Sequence, residues 1–85
     1  MIVTHYFLRH VLPKRPYLKV QWCEKVVANP LSKIVQHDGR IRYWGIVSEM
    51  KGYIKILRVV TLPDGSLLNA MPDRDYQKKH FPNGV

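Results

Sequence analysis

Two arginines and a tryptophan alternate at residues 40–44, and their chemistry suits the binding of an anion such as nucleic acid. Alternate side chains of an extended strand point to the same side, so Arg40, Arg42 and Trp44 are predicted to share one face. Guanidinium groups hold phosphate through paired hydrogen bonds, and aromatic rings stack on bases. The alternative is that both arginines are solvated on a half-exposed sheet and that Trp44 belongs to the core.

Arg58 interrupts the apolar run of residues 54–60, where a guanidinium group needs either a partner or access to water. Its burial without a partner would cost several kcal/mol. One interpretation is a structural ion pair with Asp73 or Asp75. The other is a site for a substrate phosphate.

A group of polar side chains follows the last predicted strand, at residues 69–76, where functional residues often lie on a rigid scaffold. Arg74 can stabilise negative charge that develops at phosphorus. Tyr76 can act as an acid, a base or a stacking ring, with Asn69 orienting the substrate. The alternative is structural: Asp73 caps the final helix, Arg74 is solvated and Tyr76 packs against the sheet.

The histidines and the cysteine form no recognisable metal or nucleophile motif. His5 and His10 lie five residues apart, so a helix would not place both imidazoles on one face. The single cysteine, Cys23, can form neither an intramolecular disulfide nor a cysteine-based metal site. It is expected in the interior, and a Cys–His nucleophile has no supporting motif. We therefore expect neither a metal nor a cofactor.

The charge is strongly positive, with 14 Lys and Arg against 6 Asp and Glu, a net charge of +8. Such an excess is best explained by an anionic partner such as nucleic acid, an acidic protein or an anionic surface. Lys14 and Arg15 form a basic elbow between two prolines and join the candidate nucleic-acid-binding residues. The sequence has no signal-peptide pattern and no run of about 18 apolar residues, so we expect a cytoplasmic protein without a membrane partner.

The positions of proline, glycine and β-branched residues predict an α+β fold in one domain, residues 1–85, with a flexible tail at 81–85. Apolar residues at helical spacing predict helices at 4–12 and 17–28, which Pro13 and Pro30 end. Stretches between turn residues predict strands at 32–36, 40–47, 53–62 and 66–70, in an antiparallel meander. A short helix capped by Asp73 is predicted at 73–80. The expected architecture is two N-terminal helices packed on a four-stranded sheet, followed by this short helix.

Four blocks of the sequence resemble, in this order, a family of short bacterial proteins of unassigned function. They are GRIRYWG at 39–45, LRVV at 57–60, DG at 64–65 and NAMPDR at 69–74. The order of the predicted elements further resembles the RelE/ParE superfamily and its BrnT-like branch. Members of that superfamily are the toxins of type II toxin–antitoxin pairs.

The second resemblance implies metal-independent cleavage of RNA, free or on the ribosome, and neutralisation by a small acidic antitoxin. In that chemistry the ribose 2′-hydroxyl attacks its own phosphate, while basic side chains stabilise the charge. The residues that match the charge-stabilising role are Arg40, Arg42, Arg58 and Arg74, and those that match proton transfer are Tyr76 and His37. The alternative function is a non-catalytic module that binds nucleic acid or protein.

Overall fold

The computed structural model describes all residues, 1–85, and shows an α+β fold built on one antiparallel sheet. The sheet contains four strands in the order β1-β2-β3-β4. Their bounds are Ser32–Val35 (β1), Ile41–Ile46 (β2), Ile56–Thr61 (β3) and Leu67–Pro72 (β4). The α-helices are Val20–Ala28 (α1) and Arg74–His80 (α2), and a π-helical turn spans Phe7–Val11. The predicted four-stranded antiparallel meander is confirmed.

The turn between β1 and β2 forms at Asp38-Gly39, a dipeptide that favours tight turns. Gly39 adopts φ +85°, a left-handed conformation that an L side chain rarely takes. Its N–H donates to the Gln36 carbonyl over 3.0 Å, and the Arg40 N–H donates to Asp38 Oδ1 over 3.0 Å. The turn sets the register in which Arg42 lies opposite Ile34.

The arrangement of the helices differs from the predicted one, because one α-helix precedes the sheet and one follows it. The predicted helix at 4–12 is present as a helical segment over residues 5–11, of which Phe7–Val11 is wound as a π-helix, and residues 2–4 run along β4. Val3 forms a parallel bridge with Leu67, and the Thr4 N–H donates to the Leu67 carbonyl over 3.0 Å. The second helix starts at Val20 rather than at residue 17, because Lys19 is still extended, at φ −116° and ψ 135°.

The core lies between the sheet and the layer formed by α1 and the π-helical turn. We call this side of the sheet the front face. Gly45 allows α1 to approach β2 closely, since a Cβ at this position would lie 2.9 Å from Val26 Cγ2. The 13 buried core residues are Phe7, Val11, Leu18, Trp22, Cys23, Val26, Tyr43, Val47, Met50, Leu57, Val59, Leu67 and Ala70.

The opposite side of the sheet, which we call the back face, is partly covered by α2. Strand pairing places Trp44 opposite both Ser32 and Arg58, and Arg42 opposite Val60. The predicted cap of α2 is confirmed, because Asp73 Oδ1 accepts a hydrogen bond from the Tyr76 N–H over 2.9 Å. No helix of the protein has both the length and the hydropathy needed to cross a membrane.

Candidate nucleic-acid interface

Three of the predicted arginines line one groove on the back face, with a volume of about 300 Å³. Arg40 directly precedes β2, Arg42 lies in β2, and Arg58 lies in β3. We call this the arginine groove. It is completed by Tyr6, Gln36, Val60, Leu68 and Asn69.

Arg42 is the least compensated cation of the arginine groove. With the Gln36 amide oriented to satisfy its hydrogen bonds, the Gln36 oxygen accepts from Arg42 Nη2 at 3.0 Å and from Nε at 3.2 Å. No carboxylate lies within 4 Å of Arg42, whereas Arg40 Nε lies 3.5 Å from Asp38 Oδ2. That pair is about half exposed on both sides, and such surface pairs contribute little to stability. Gln36 therefore orients the Arg42 guanidinium group without neutralising its charge.

Arg58 forms the predicted ion pair with Asp73, at 3.9 Å between Nη1 and Oδ2. Its Nη2 also contacts the sulfur of Met71. The Arg58 side chain keeps 28% of its surface exposed, and it lines two neighbouring depressions of the back face. The ion pair therefore leaves part of the Arg58 side chain accessible to solvent.

The second depression lies against α2 and has a volume of about 440 Å³. We call it the α2 cleft. The Tyr76 ring stacks on Trp44, with centroids 5.3 Å apart and planes at 12°, and His80 lies 4.2 Å from its centroid. Tyr76 Oη and Ser32 Oγ are hydrogen bonded over 2.5 Å. The lining residues are Ser32, Ile34, Trp44, Arg58, Asp73, Asp75, Tyr76, Lys79 and His80.

Trp44 lies on the predicted face of β2, but the interpretation that leaves its indole open is wrong, and the alternative, a buried Trp44, is confirmed. Only 8% of the residue is exposed, because Tyr76 covers its ring. Its Nε1–H donates to Asp73 Oδ2 over 2.9 Å. The packing of Tyr76 against the sheet follows the structural alternative of the sequence analysis. The exposed ring at the arginine groove is instead Tyr6, which is 51% exposed.

The Asp73 carboxylate is surrounded by groups that favour its ionised form. Burial opposes ionisation, but the Tyr76 N–H, the Trp44 indole and the Arg58 charge outweigh it, so the pKa of Asp73 is lowered. The carboxylate thus stays negative and spreads its charge over three partners.

The predicted catalytic residues are only partly brought together. Arg58 and Tyr76 share the α2 cleft, whereas Arg74 lines a separate depression with Tyr53, Ile54, Gln77 and Lys78. His37 lies in a shallow depression beside Arg42. Lys14 and Arg15 belong to the loop before α1 and line none of these depressions.

Several residues of the two depressions were not predicted from the sequence. Lys79 and His80 follow Tyr76 at helical spacings of three and four, and that spacing places them on the same side of α2. Ser32 lies opposite Trp44 in the sheet register, a contact that appears only once β1 and β2 are paired. No three His, Cys, Asp or Glu side chains come together in a way that could hold a metal ion.

Comparison of the chain with protein-family models, with curated proteins and with solved structures finds no match.

Proposed function

We propose that the protein binds single-stranded RNA on its back face, with backbone phosphates in the arginine groove. The observation that carries the proposal is the convergence of Arg40, Arg42 and Arg58 on one groove of a chain with a net charge of +8. Guanidinium groups are suited to bidentate phosphate contacts. The choice of RNA rests on the resemblance to the RelE/ParE superfamily.

The mode of contact follows from the exposure of the groove residues. Because Trp44 is covered by Tyr76, it offers no free ring face to a base. Tyr6, half exposed beside the same arginines, is the side chain available for base stacking. Gln36 and Asn69 supply polar groups between them. We expect recognition dominated by phosphate contacts, with strong salt dependence and little sequence preference.

Binding is tested by fluorescence anisotropy with a labelled single-stranded RNA of about 20 nucleotides, over a series of salt concentrations. Arg42→Gln is expected to weaken binding and to reduce the slope of log K against log salt by about 0.7, since one phosphate contact is lost. Lys33→Gln is the matched control, because it also removes one positive charge, but from the front face of the sheet. There Lys33 Nζ lies 5.7 Å from the Tyr43 ring centroid. Equal losses of RNA affinity in the two variants would contradict phosphate binding in the arginine groove.

A second candidate function, metal-independent RNA cleavage, is favoured by the α2 cleft that adjoins the groove at Arg58. In this chemistry the 2′-hydroxyl gives its proton to a base and attacks the neighbouring phosphorus, and the P–O5′ bond breaks as an acid protonates the leaving oxygen. Tyr76 and His80 are candidates for these proton transfers, and Arg58 and Lys79 for charge stabilisation. The products would be a 2′,3′-cyclic phosphate and a 5′-hydroxyl.

Two variants of the α2 cleft distinguish RNA cleavage from RNA binding without cleavage. Tyr76→Phe keeps the stack on Trp44 and removes only the hydroxyl, and His80→Gln removes the imidazole. Under the cleavage hypothesis both variants bind RNA like the unaltered protein but cleave it more slowly. Binding by the unaltered protein without cyclic-phosphate products would leave the non-catalytic module as the function.

We further propose that this protein is the toxin of a type II pair, with a small acidic antitoxin as its partner. The open edge of the sheet at β1 supports such a partner, because Leu31, Ile34 and Val35 are about half exposed or more there and β1 has no neighbour beyond it. An extended acidic segment suits this edge in shape and charge. Inducible expression in bacteria tests the toxin role. Normal growth and intact RNA, with the protein recovered in the soluble fraction, would refute it.

A further inference from the structure

Another cavity, larger than the arginine groove and the α2 cleft, lies between the start of α1 and the loop at residues 47–55. Its volume is about 650 Å³, which falls in the range of about 300–1,000 Å³ typical of small-molecule sites. We call it the loop cavity. It shares no residue with the arginine groove or the α2 cleft. Its apolar and aromatic lining consists of Tyr17, Trp22, Met50, Tyr53, Ile54 and Pro72.

The wall of the loop cavity is held in place by Gln77, a polar residue of α2 that is only 1% exposed. Gln77 Oε1 accepts from the Lys55 N–H over 2.7 Å, and Gln77 Nε2 donates to the Tyr53 carbonyl over 3.0 Å. Lys55 Nζ donates to the carbonyls of Ser48, over 3.2 Å, and of Met50. The loop therefore has a fixed backbone although it contains no strand, and the cavity is formed before any ligand arrives.

The charged residues that line the loop cavity are two lysines and one glutamate, and the lysines are free to pair with a ligand. Lys19 Nζ lies 5.8 Å from the centroid of the Trp22 ring, and Lys51 is exposed on the loop. Neither lysine forms an ion pair. Glu49, the one carboxylate of the lining, is already engaged by Lys25 Nζ at 3.3 Å and by Ser48 Oγ at 2.9 Å. A ligand thus meets two free ammonium groups beside an apolar pocket.

The tyrosines at the mouth of the cavity add flat aromatic surface. Tyr17 is 50% exposed and Tyr53 is 65% exposed, although both line an apolar depression. Exposed rings beside a cavity gain buried area when an aromatic group packs on them.

We propose that the loop cavity binds a small aromatic anion, with its ring between the exposed rings of Tyr17 and Tyr53, beside the buried Trp22, and its anionic group at Lys19 and Lys51. A mononucleotide and an aromatic carboxylate share this chemistry, and both are tested. The site is independent of the RNA proposal, because it uses none of the residues of the back face.

The experiment follows the two indole N–H resonances of the ¹⁵N-labelled protein, one in the cavity and one on the back face. The probes are adenosine 5′-monophosphate, adenosine, inorganic phosphate and 2-naphthoate. At least one aromatic anion is expected to shift the Trp22 resonance saturably while Trp44 stays in place. Adenosine lacks the anionic group and inorganic phosphate lacks the aromatic ring, so each is expected to bind at least several-fold more weakly. Saturation by the nucleotide but not by naphthoate identifies a phosphate ligand, and the reverse identifies a carboxylate ligand.

Charge variants provide the second test. Lys19→Gln and Lys51→Gln are each expected to weaken binding about threefold, as for exposed ion pairs, and Lys33→Gln is the matched control outside the cavity. An unchanged Trp44 resonance shows that each variant is folded. No shift of Trp22 with either aromatic anion at millimolar concentration, or equal affinity in all three variants, would overturn the proposal. Loss of RNA binding in Arg42→Gln leaves this result untouched, so the two proposals fail separately.

Discussion

Asp73 accepts a hydrogen bond from the indole of Trp44, over 2.9 Å between Nε1 and Oδ2. The other oxygen of the same carboxylate caps α2 by accepting from the Tyr76 N–H. One side chain thus joins the middle of the sheet to the start of the helix that crosses its back face. At this junction the Tyr76 ring covers the Trp44 indole, whereas the neighbouring arginine groove is open to solvent.

Asp73→Ala is expected to destabilise the protein by about 2–3 kcal/mol. The change removes the helix cap and the partner of a mostly buried indole N–H, each of which contributes about 1 kcal/mol or more. Urea unfolding measures the effect. Asp75→Ala is the control, since Asp75 is exposed in the first turn of α2 and its interaction with the helix dipole is worth less than about 1 kcal/mol. Similar losses in the two variants would contradict a special role for Asp73.

Asp73 also predicts a loss of stability in acid. Because its pKa is lowered in the folded state, its ionised form stabilises the fold at every pH above its unfolded pKa of about 4. This contribution is lost as the pH falls through the lower, folded pKa. The stability difference between the unaltered protein and Asp73→Asn is therefore expected to be constant near neutral pH and to shrink below about pH 4. A difference that does not change down to pH 2 would contradict this assignment.

Much of the fold was predictable because its signals are local. Turn glycines and alternating apolar residues located all four strands to within a few residues, and Asp73 was identified as a cap from its position before the last helix. The first helix was predicted as an ordinary helix because apolar spacing does not separate an α-helix from the π-helix found at Phe7–Val11. The pairing of residues 2–4 with β4 was not predicted, since it depends on a partner 63 residues away. The sequence left open whether Trp44 is exposed or buried, since only the packing of α2 covers the ring.

In the candidate site, too, local sequence patterns predicted some features, whereas others depend on contacts between distant residues. Arg42 and Arg58 both line the arginine groove because the sheet register places them on one face. Strand alternation predicts which residues share a face within each strand, whereas only the register relates the two strands. Arg74 does not join them, because residues two apart on a helix point in different directions and Tyr76 already faces the sheet. The loop cavity had no sequence signal. Its wall depends on a buried glutamine that contacts the backbone 22 to 24 residues away.

Gly45→Ala is expected to destabilise the protein by about 1–3 kcal/mol, as overpacked cores generally do. The added methyl would lie 2.9 Å from Val26 Cγ2 and 3.1 Å from Cγ1, so α1 must move away from β2. Thermal unfolding measures the loss. The pair Gly45→Ala and Val26→Ala forms a double-mutant cycle, in which the smaller side chain of α1 makes room for the new methyl. The combined loss is expected to be smaller than the sum of the single losses. Additive losses would contradict the contact.

Gln77→Ala is expected to cost about 2–4 kcal/mol, because it leaves two backbone groups of the loop without partners and opens a cavity in a buried site. Hydrogen exchange at the Lys55 amide, which donates to Gln77 Oε1, is expected to accelerate beyond the change in global stability. Lys78→Ala, at an exposed neighbouring position, is the control and should leave both measurements nearly unchanged. Unaltered exchange at Lys55 in Gln77→Ala would show that the side chain does not hold the loop.

Cys23 is expected to be chemically inert in the folded protein. Its side chain is fully buried in the core, and burial raises the pKa of the thiol to about 12. At pH 8 roughly one molecule in ten thousand would carry the reactive thiolate. A disulfide reagent such as 5,5′-dithiobis(2-nitrobenzoate) is therefore expected to react only at the rate of unfolding, and completely in 8 M urea. Cys23→Ala, which gives no reaction in either condition, is the control. Native-state modification as fast as that of free glutathione would contradict this placement and would restore the thiol as a candidate nucleophile.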